Sequence, residues 1–193
     1  MIRNYFIFLW NSKNQYGVHS PFVFNLVAKC FYNKASFAEY SELIPIQKSN
    51  FKKAKLILRI VAYFKSEQVL TIGKPSSSVA LALHLGNQNG NHTFAETTSF
   101  LKQILKEKST FDFVYFETNN KQTPFLEVFE LLISTAQSNS VWIINDIYSN
   151  SDTQECWKII KNHPKVTVTI DIFAFGLVFF RTEQQKEQFT IRT

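Results

Sequence analysis

Glycine and cysteine are scarce in this chain, and each shortage closes off a class of protein. Its 193 residues include five glycines, where average usage near 7% would give roughly 13. Collagen-like repeats and glycine-rich phosphate-cradling loops are therefore poor descriptions of it. The two cysteines, Cys30 and Cys156, stand far apart with no CxxC and no Cys/His ligand cluster. That argues against a thiolate zinc site and a disulfide framework, and for a reducing compartment such as the cytoplasm. Long apolar runs are missing too. The opening Met1-Ile-Arg-Asn-Tyr-Phe-Ile-Phe-Leu-Trp10 holds about six successive apolar residues, short of the roughly 7–15 of a secretory signal or the about 20 of a membrane span. A short amphipathic helix capping the domain is expected there, not a membrane anchor.

What is present is core material. The chain is 45% hydrophobic and 19% charged, with twenty Phe, seven Tyr and three Trp. That composition suits one folded domain spanning 1–193, not a disordered tail. The net charge of +6 is compatible with an anionic partner, yet no aromatic-basic motif supports nucleic-acid binding. The basic residues between 48 and 59 read as a solvated helix face. A homo-oligomer is compatible with the composition and nothing more.

Residues 1–65 read as a helical cap. Ser20-Pro21 is a helix start, with Ser as N-cap and Pro at the first helical position. After Ser49-Asn50, the residues Phe51, Ala54, Ile57, Leu58, Val61, Ala62 and Phe64 recur at helical spacing. From residue 66 strands and helices alternate. The apolar runs Gln68–Ile72, Phe111–Phe116, Val141–Ile144, Val166–Ile170 and Leu177–Phe180 read as strands. Helices are expected over Ser76–Leu85, Ser99–Glu107, Pro124–Ile133 and from Ser151 to His163-Pro164. Ser151-Asp-Thr-Gln154 reads as a capping box with Ser151 as N-cap. The last two runs, with Gly176 between them, read as a hairpin. The expected fold class is α/β: a mostly parallel sheet of about five or six strands covered on both faces, with an antiparallel carboxyl-terminal hairpin.

In such a sheet ligands bind beyond the carboxyl ends of the strands. Those ends read Thr71-Ile-Gly-Lys-Pro-Ser-Ser-Ser78, Glu117-Thr-Asn-Asn120 and Asn145-Asp-Ile-Tyr148. Glu117, Asn145 and Asp146 are oxygen donors of the kind Mg²⁺ takes, or they are polar residues ending buried strands. Of the histidines, His19 reads as structural, His163 as helix-end chemistry, and His84 and His92 suggest no triad.

Two segments carry a resemblance. Gly17-Val-His-Ser-Pro-Phe-Val-Phe24, and Asn162–Asp171 with Gly176–Arg181, resemble a bacterial family of class I S-adenosylmethionine-dependent methyltransferases, itself similar to metal-dependent catechol-type O-methyltransferases. The resemblance implies a Rossmann-like core over 66–193 and methyl transfer from S-adenosylmethionine to a small hydroxyl acceptor with Mg²⁺ or another divalent cation. It implies donor contacts at Thr71, Gly73, Ser76, Ser77 and Glu96, a metal on Glu117, Asn145 and Asp146, and Asp146 or Asn120 as catalytic candidates.

The chain departs from that family's pattern. Thr71 replaces an acid, Ser77 a glycine, and Tyr148 and Asn120 histidines; Pro75 removes an N–H from the first loop. Between Leu85 and Phe111 a complete fold needs two strands and two helices, and there is room for about half of that. Phe94-Ala-Glu-Thr97 is then either the second strand, ending at Glu96 with a ribose-binding acid, or a later family motif with Ala95 in place of an Asp near the adenine. The second reading, which removes the ribose-binding acid and its strand, is preferred here. A non-catalytic binding or assembly module on the same scaffold is the competing functional class.

Overall fold

A computed structural model describes residues 2–33, 38–43, 48–107, 110–118 and 124–193. Seven α-helices and seven strands are named in it: α1 (Ile2–Asn11), α2 (Pro21–Leu26), α3 (Lys48–Phe64), β1 (Gln68–Ile72), α4 (Ser77–Gly86), β2 (Asn91–Ala95), α5 (Thr98–Lys106), β3 (Phe113–Phe116), α6 (Phe125–Leu132), β4 (Val141–Asn145), α7 (Ser151–Asn162), β5 (Val168–Asp171), β6 (Phe175–Phe179) and β7 (Glu187–Thr190). The strands form one sheet in the order β2-β1-β3-β4-β6-β5-β7. The first four run parallel, and β6 is antiparallel to both β4 and β5.

The two-residue side-chain period divides the central strands between two apolar layers. Val69, Phe113, Tyr115, Val141 and Ile143 face α2, α3 and α4, where Leu26, Ile57, Val61, Ala82 and Leu83 meet them. Leu70, Ile72, Val114, Phe116, Trp142 and Ile144 face α5, α6 and α7 and pack with Leu101, Phe129, Leu132 and Trp157. Burial on both faces explains why β3, and β4 as far as Ile144, are apolar.

The start of α2 is as the sequence suggests: Ser20 accepts the Val23 N–H and Pro21 holds the first position. Four expectations need correction. The sheet has seven strands rather than five or six. One addition is β2, parallel to β1 with Ile72 opposite Ala95, so the preferred reading in which that strand is missing is overturned. The other is β7, a polar segment parallel to β5. Third, α7 is capped by Asn150, whose side chain accepts the Thr153 N–H at 2.8 Å, while Gln154 donates to the Asn150 carbonyl. The cap thus lies one residue before Ser151. Fourth, Gly176 lies within β6, not in the turn. A Cβ there would stand 2.6 Å from the Trp157 ring, so the glycine serves close packing.

Helix α1 buries only Phe8 and leaves Ile2, Phe6 and Trp10 exposed. Its Tyr5 and Phe8 rings rest on Phe173, with centroids 4.9 and 5.3 Å apart. Among the described residues, no helix is long and apolar enough to cross a membrane.

Candidate functional site

The parallel strands end level with one another. Ile72 pairs with both Ala95 and Phe116, and Phe116 with Ile144. Two further bonds extend the ladder past the strand ends, from Gly73 N–H to the Ala95 carbonyl and from Glu117 N–H to the Ile72 carbonyl, both 2.9 Å. The loops that follow are thereby held side by side, and they contain most of the residues expected from the sequence.

On the β1–β2 side, Gly73 turns the chain with φ 83°, a conformation that strains any side chain. The chain then enters α4 with Ser76 as N-cap and Ser77 as the first helical residue. Ser76 does not cap through its hydroxyl, which instead lies 3.0 Å from that of Ser78. Glu96 follows β2 directly and lines a surface hollow of about 360 Å³ with Phe94, Thr97 and Phe100. The fold therefore puts Glu96 at the end of a strand neighbouring Gly73, as the less favoured reading required.

Thr71 is fully buried, and its hydroxyl lies 2.8 Å from Nε2 of His92, a pairing that sequence inspection did not suggest. His92 also stacks on Phe94. Burial, reinforced by the charge of His84, lowers the His92 pKa from 6.5 to about 4. The folded protein thus disfavours a proton that the unfolded chain takes up near pH 6.5, so this contribution to stability is present above 6.5 and is lost as pH falls toward about 4. Denaturant midpoints between pH 7 and 4 should show that decline, and His92→Gln should flatten it; an unchanged slope in the variant would refute the assignment.

On the β3–β4 side, Glu117, Asn145 and Asp146 come together. Asn145 Nδ2 donates to both Glu117 carboxylate oxygens, at 2.9 and 3.0 Å, and approaches Asp146 Oδ2 at 3.4 Å. Asp146 Oδ1 accepts from Lys53 Nζ at 2.9 Å. Beneath them the Tyr115 hydroxyl is held protonated, first by burial and then by the charges of Glu117 and Asp146. Thr118 Oγ1 donates to the Asn145 carbonyl and the Asp146 N–H to that of Ala174. Asn120 lies outside the described residues.

This cluster does not fit a divalent cation as it stands. Mg²⁺ needs bare oxygens at about 2.0–2.1 Å around one point, whereas each carboxylate oxygen of Glu117 and Asp146 already faces a nitrogen donor. Asn145 offers the carboxylates its amino group, and its oxygen is buried without a partner among the described residues. Among those residues no His/Cys/Asp/Glu group suited to a metal ion is found.

Beyond Asp146 the wall becomes aromatic. Asp146 and Phe173 both take positive φ, 44° and 68°. Phe173 stacks on Tyr148, whose hydroxyl donates to the Asp171 carboxylate. Two other surface hollows, about 390 and 350 Å³, share Lys65, Ser66 and Glu67. Those residues precede β1, so these hollows lie at the opposite end from the loops.

Solved structures share this fold. The O-methyltransferase from Bacillus cereus, solved with SAH, superposes with a TM-score of 0.53 at 13% identity, covering 79% of this chain and 95% of its own. The O-methyltransferase TomG from Streptomyces achromogenes, solved with SAM, gives 0.55 at 10% identity over 80% of this chain and 94% of that one. An SAH-bound methyltransferase from Podospora anserina gives 0.53 at 9% identity, covering 84% and 97%. The fold is that of class I S-adenosylmethionine-dependent methyltransferases. No family model matches the chain, and no curated protein matches it in sequence.

Within this methyltransferase fold the residue that sequence inspection misjudged is Lys53. The basic run on α3 is not simply a solvated face: Lys53 reaches Asp146, Lys55 lies over the Tyr40 and Phe51 rings, and Arg59 donates to the Asn33 carbonyl. A signal was available. Lys53 stands four and seven residues before Ile57 and Ile60 on one helical face, and both isoleucines are fully buried. His19, by contrast, is exposed.

Proposed function

We propose that this protein binds S-adenosylmethionine over the ends of β1 and β2 and transfers its methyl group to a small hydroxyl acceptor in the cytoplasm. The observation that carries the reading is the level alignment of the Gly73 loop, the α4 start and Glu96. A left-handed glycine there lets the backbone approach a ligand closely, the first-turn N–H groups of α4 favour a carboxylate, and Glu96 is suited to ribose hydroxyls. Exposed Phe94 and Phe100 beside Glu96 offer faces for a purine. The O-methyltransferase neighbours support the same reading. Thr71, Ser76 and Ser77 complete the donor side.

The donor supplies an electrophilic methyl on a sulfonium. The acceptor oxygen forms the new C–O bond, the S–C bond breaks with its electrons left on sulfur, and the hydroxyl proton passes through Asp146 to water. The chain's part is to hold donor and acceptor in line, and such positioning contributes much of the rate in bimolecular transfer.

Isothermal titration with S-adenosylmethionine tests the donor site. Binding in the micromolar range is expected, with S-adenosylhomocysteine competing. No heat up to millimolar donor would leave the scaffold as a non-catalytic module and end this proposal.

A further inference from the structure

Lys53 comes from the amino-terminal helices, outside the β–α alternation, yet its ammonium enters the polar cluster at the ends of β3 and β4. Its side chain is 19% exposed, and it lies in line with buried Ile57 and Ile60 on the inward side of α3. Lysine is expensive to draw away from water unless a carboxylate receives it, and here Asp146 Oδ1 does so at 2.9 Å. The Asn145 amide completes the arrangement by covering both Glu117 oxygens and approaching the other oxygen of Asp146.

We propose that Lys53 is the resident cation of the Glu117–Asn145–Asp146 cluster, bringing to Asp146 Oδ1 the positive charge that a divalent ion would otherwise supply, so that the acceptor side of the site works without added metal. What this means for methyl transfer rests on the reading under Proposed function; the occupancy of the cluster does not. Lys53 acts through Asp146. It balances the carboxylate charge and sets its direction, and is a positioning residue.

The test reads cation binding directly, with no donor present. Free Mn²⁺ gives a strong aqueous paramagnetic resonance signal that disappears on binding. The wild-type chain is expected to leave that signal unchanged up to millimolar Mn²⁺. Lys53→Ala should bind Mn²⁺ at least about tenfold more tightly, since an ammonium within hydrogen-bond reach repels a second cation. Lys53→Arg, which keeps the charge, should stay silent, and adding Glu117→Gln to Lys53→Ala should abolish the new binding. Circular dichroism establishes that each variant is folded, and a melting point of Lys53→Ala that rises with Mn²⁺ gives a second readout.

Two results overturn the proposal: wild type binding Mn²⁺ as tightly as Lys53→Ala, or folded Lys53→Ala binding none. Donor titration is a separate measurement, so failure of the donor site and failure of this inference are distinguishable.

Discussion

Replacing Trp142 by alanine should lower the unfolding free energy by about 3–5 kcal/mol, the range for removing a large aromatic from a packed core. Trp142 is 1% exposed in β4. Its ring meets Phe180 at 4.6 Å and both Phe116 and Phe129 at 5.5 Å between centroids. The rings around it come from β3, from the residue just after β6 and from α6, so the hole could not close without moving several elements. Domains of ordinary stability have about 5–15 kcal/mol in all, so the variant should be largely unfolded at modest urea concentration. Its indole N–H is buried without a partner among the described residues. Trp142→Phe, which removes that group and keeps most of the volume, should therefore cost far less. Urea midpoints followed by circular dichroism check both. A loss below about 1 kcal/mol in the alanine variant would mean that this layer is not the packed centre described.

The second large effect concerns the donor loop. Gly73→Val should raise the dissociation constant for S-adenosylmethionine by about 100-fold, the scale on which a displacement near 1 Å is felt in a positioned site. The cause is the backbone: at φ 83° a β-branched side chain is strongly disfavoured. The loop would relax away from the start of α4 while the hydrogen-bonded strands stay in place. Comparing donor titration with the thermal midpoint separates the two. A retained midpoint with lost binding supports the loop's role, whereas unchanged binding would remove Gly73 from the donor site.

The sheet's centre could be read from the sequence because burial on both faces makes β1, β3 and β4 short apolar runs. Its edges could not. Asn91-His-Thr-Phe-Ala95 and Glu187-Gln-Phe-Thr190 are polar segments, and they become strands because β1 and β5 offer them a hydrogen-bonding edge. Gly176 invited placement in a turn because its real constraint, the Trp157 ring, comes from a helix about twenty residues earlier. The carboxylate cluster was legible for a general reason: parallel strands deliver their final residues to one place. Lys53 was not, because its partner is 93 positions away and in the other structural half. The direction of the Asn145 amide is set by Glu117, just past β3, and by Asp146 beside it, and leaves no trace in a linear reading.

The lysine also bears on how this architecture could be divided. Helix α3 supplies both the apolar roof over one sheet face and the counter-charge for carboxylates at the strand ends. Grafting an unrelated helical roof onto these strands could restore the greasy contacts and still leave two acids crowding each other. Swapping parts between such proteins would therefore succeed only when the borrowed roof brings its own ammonium to the same corner.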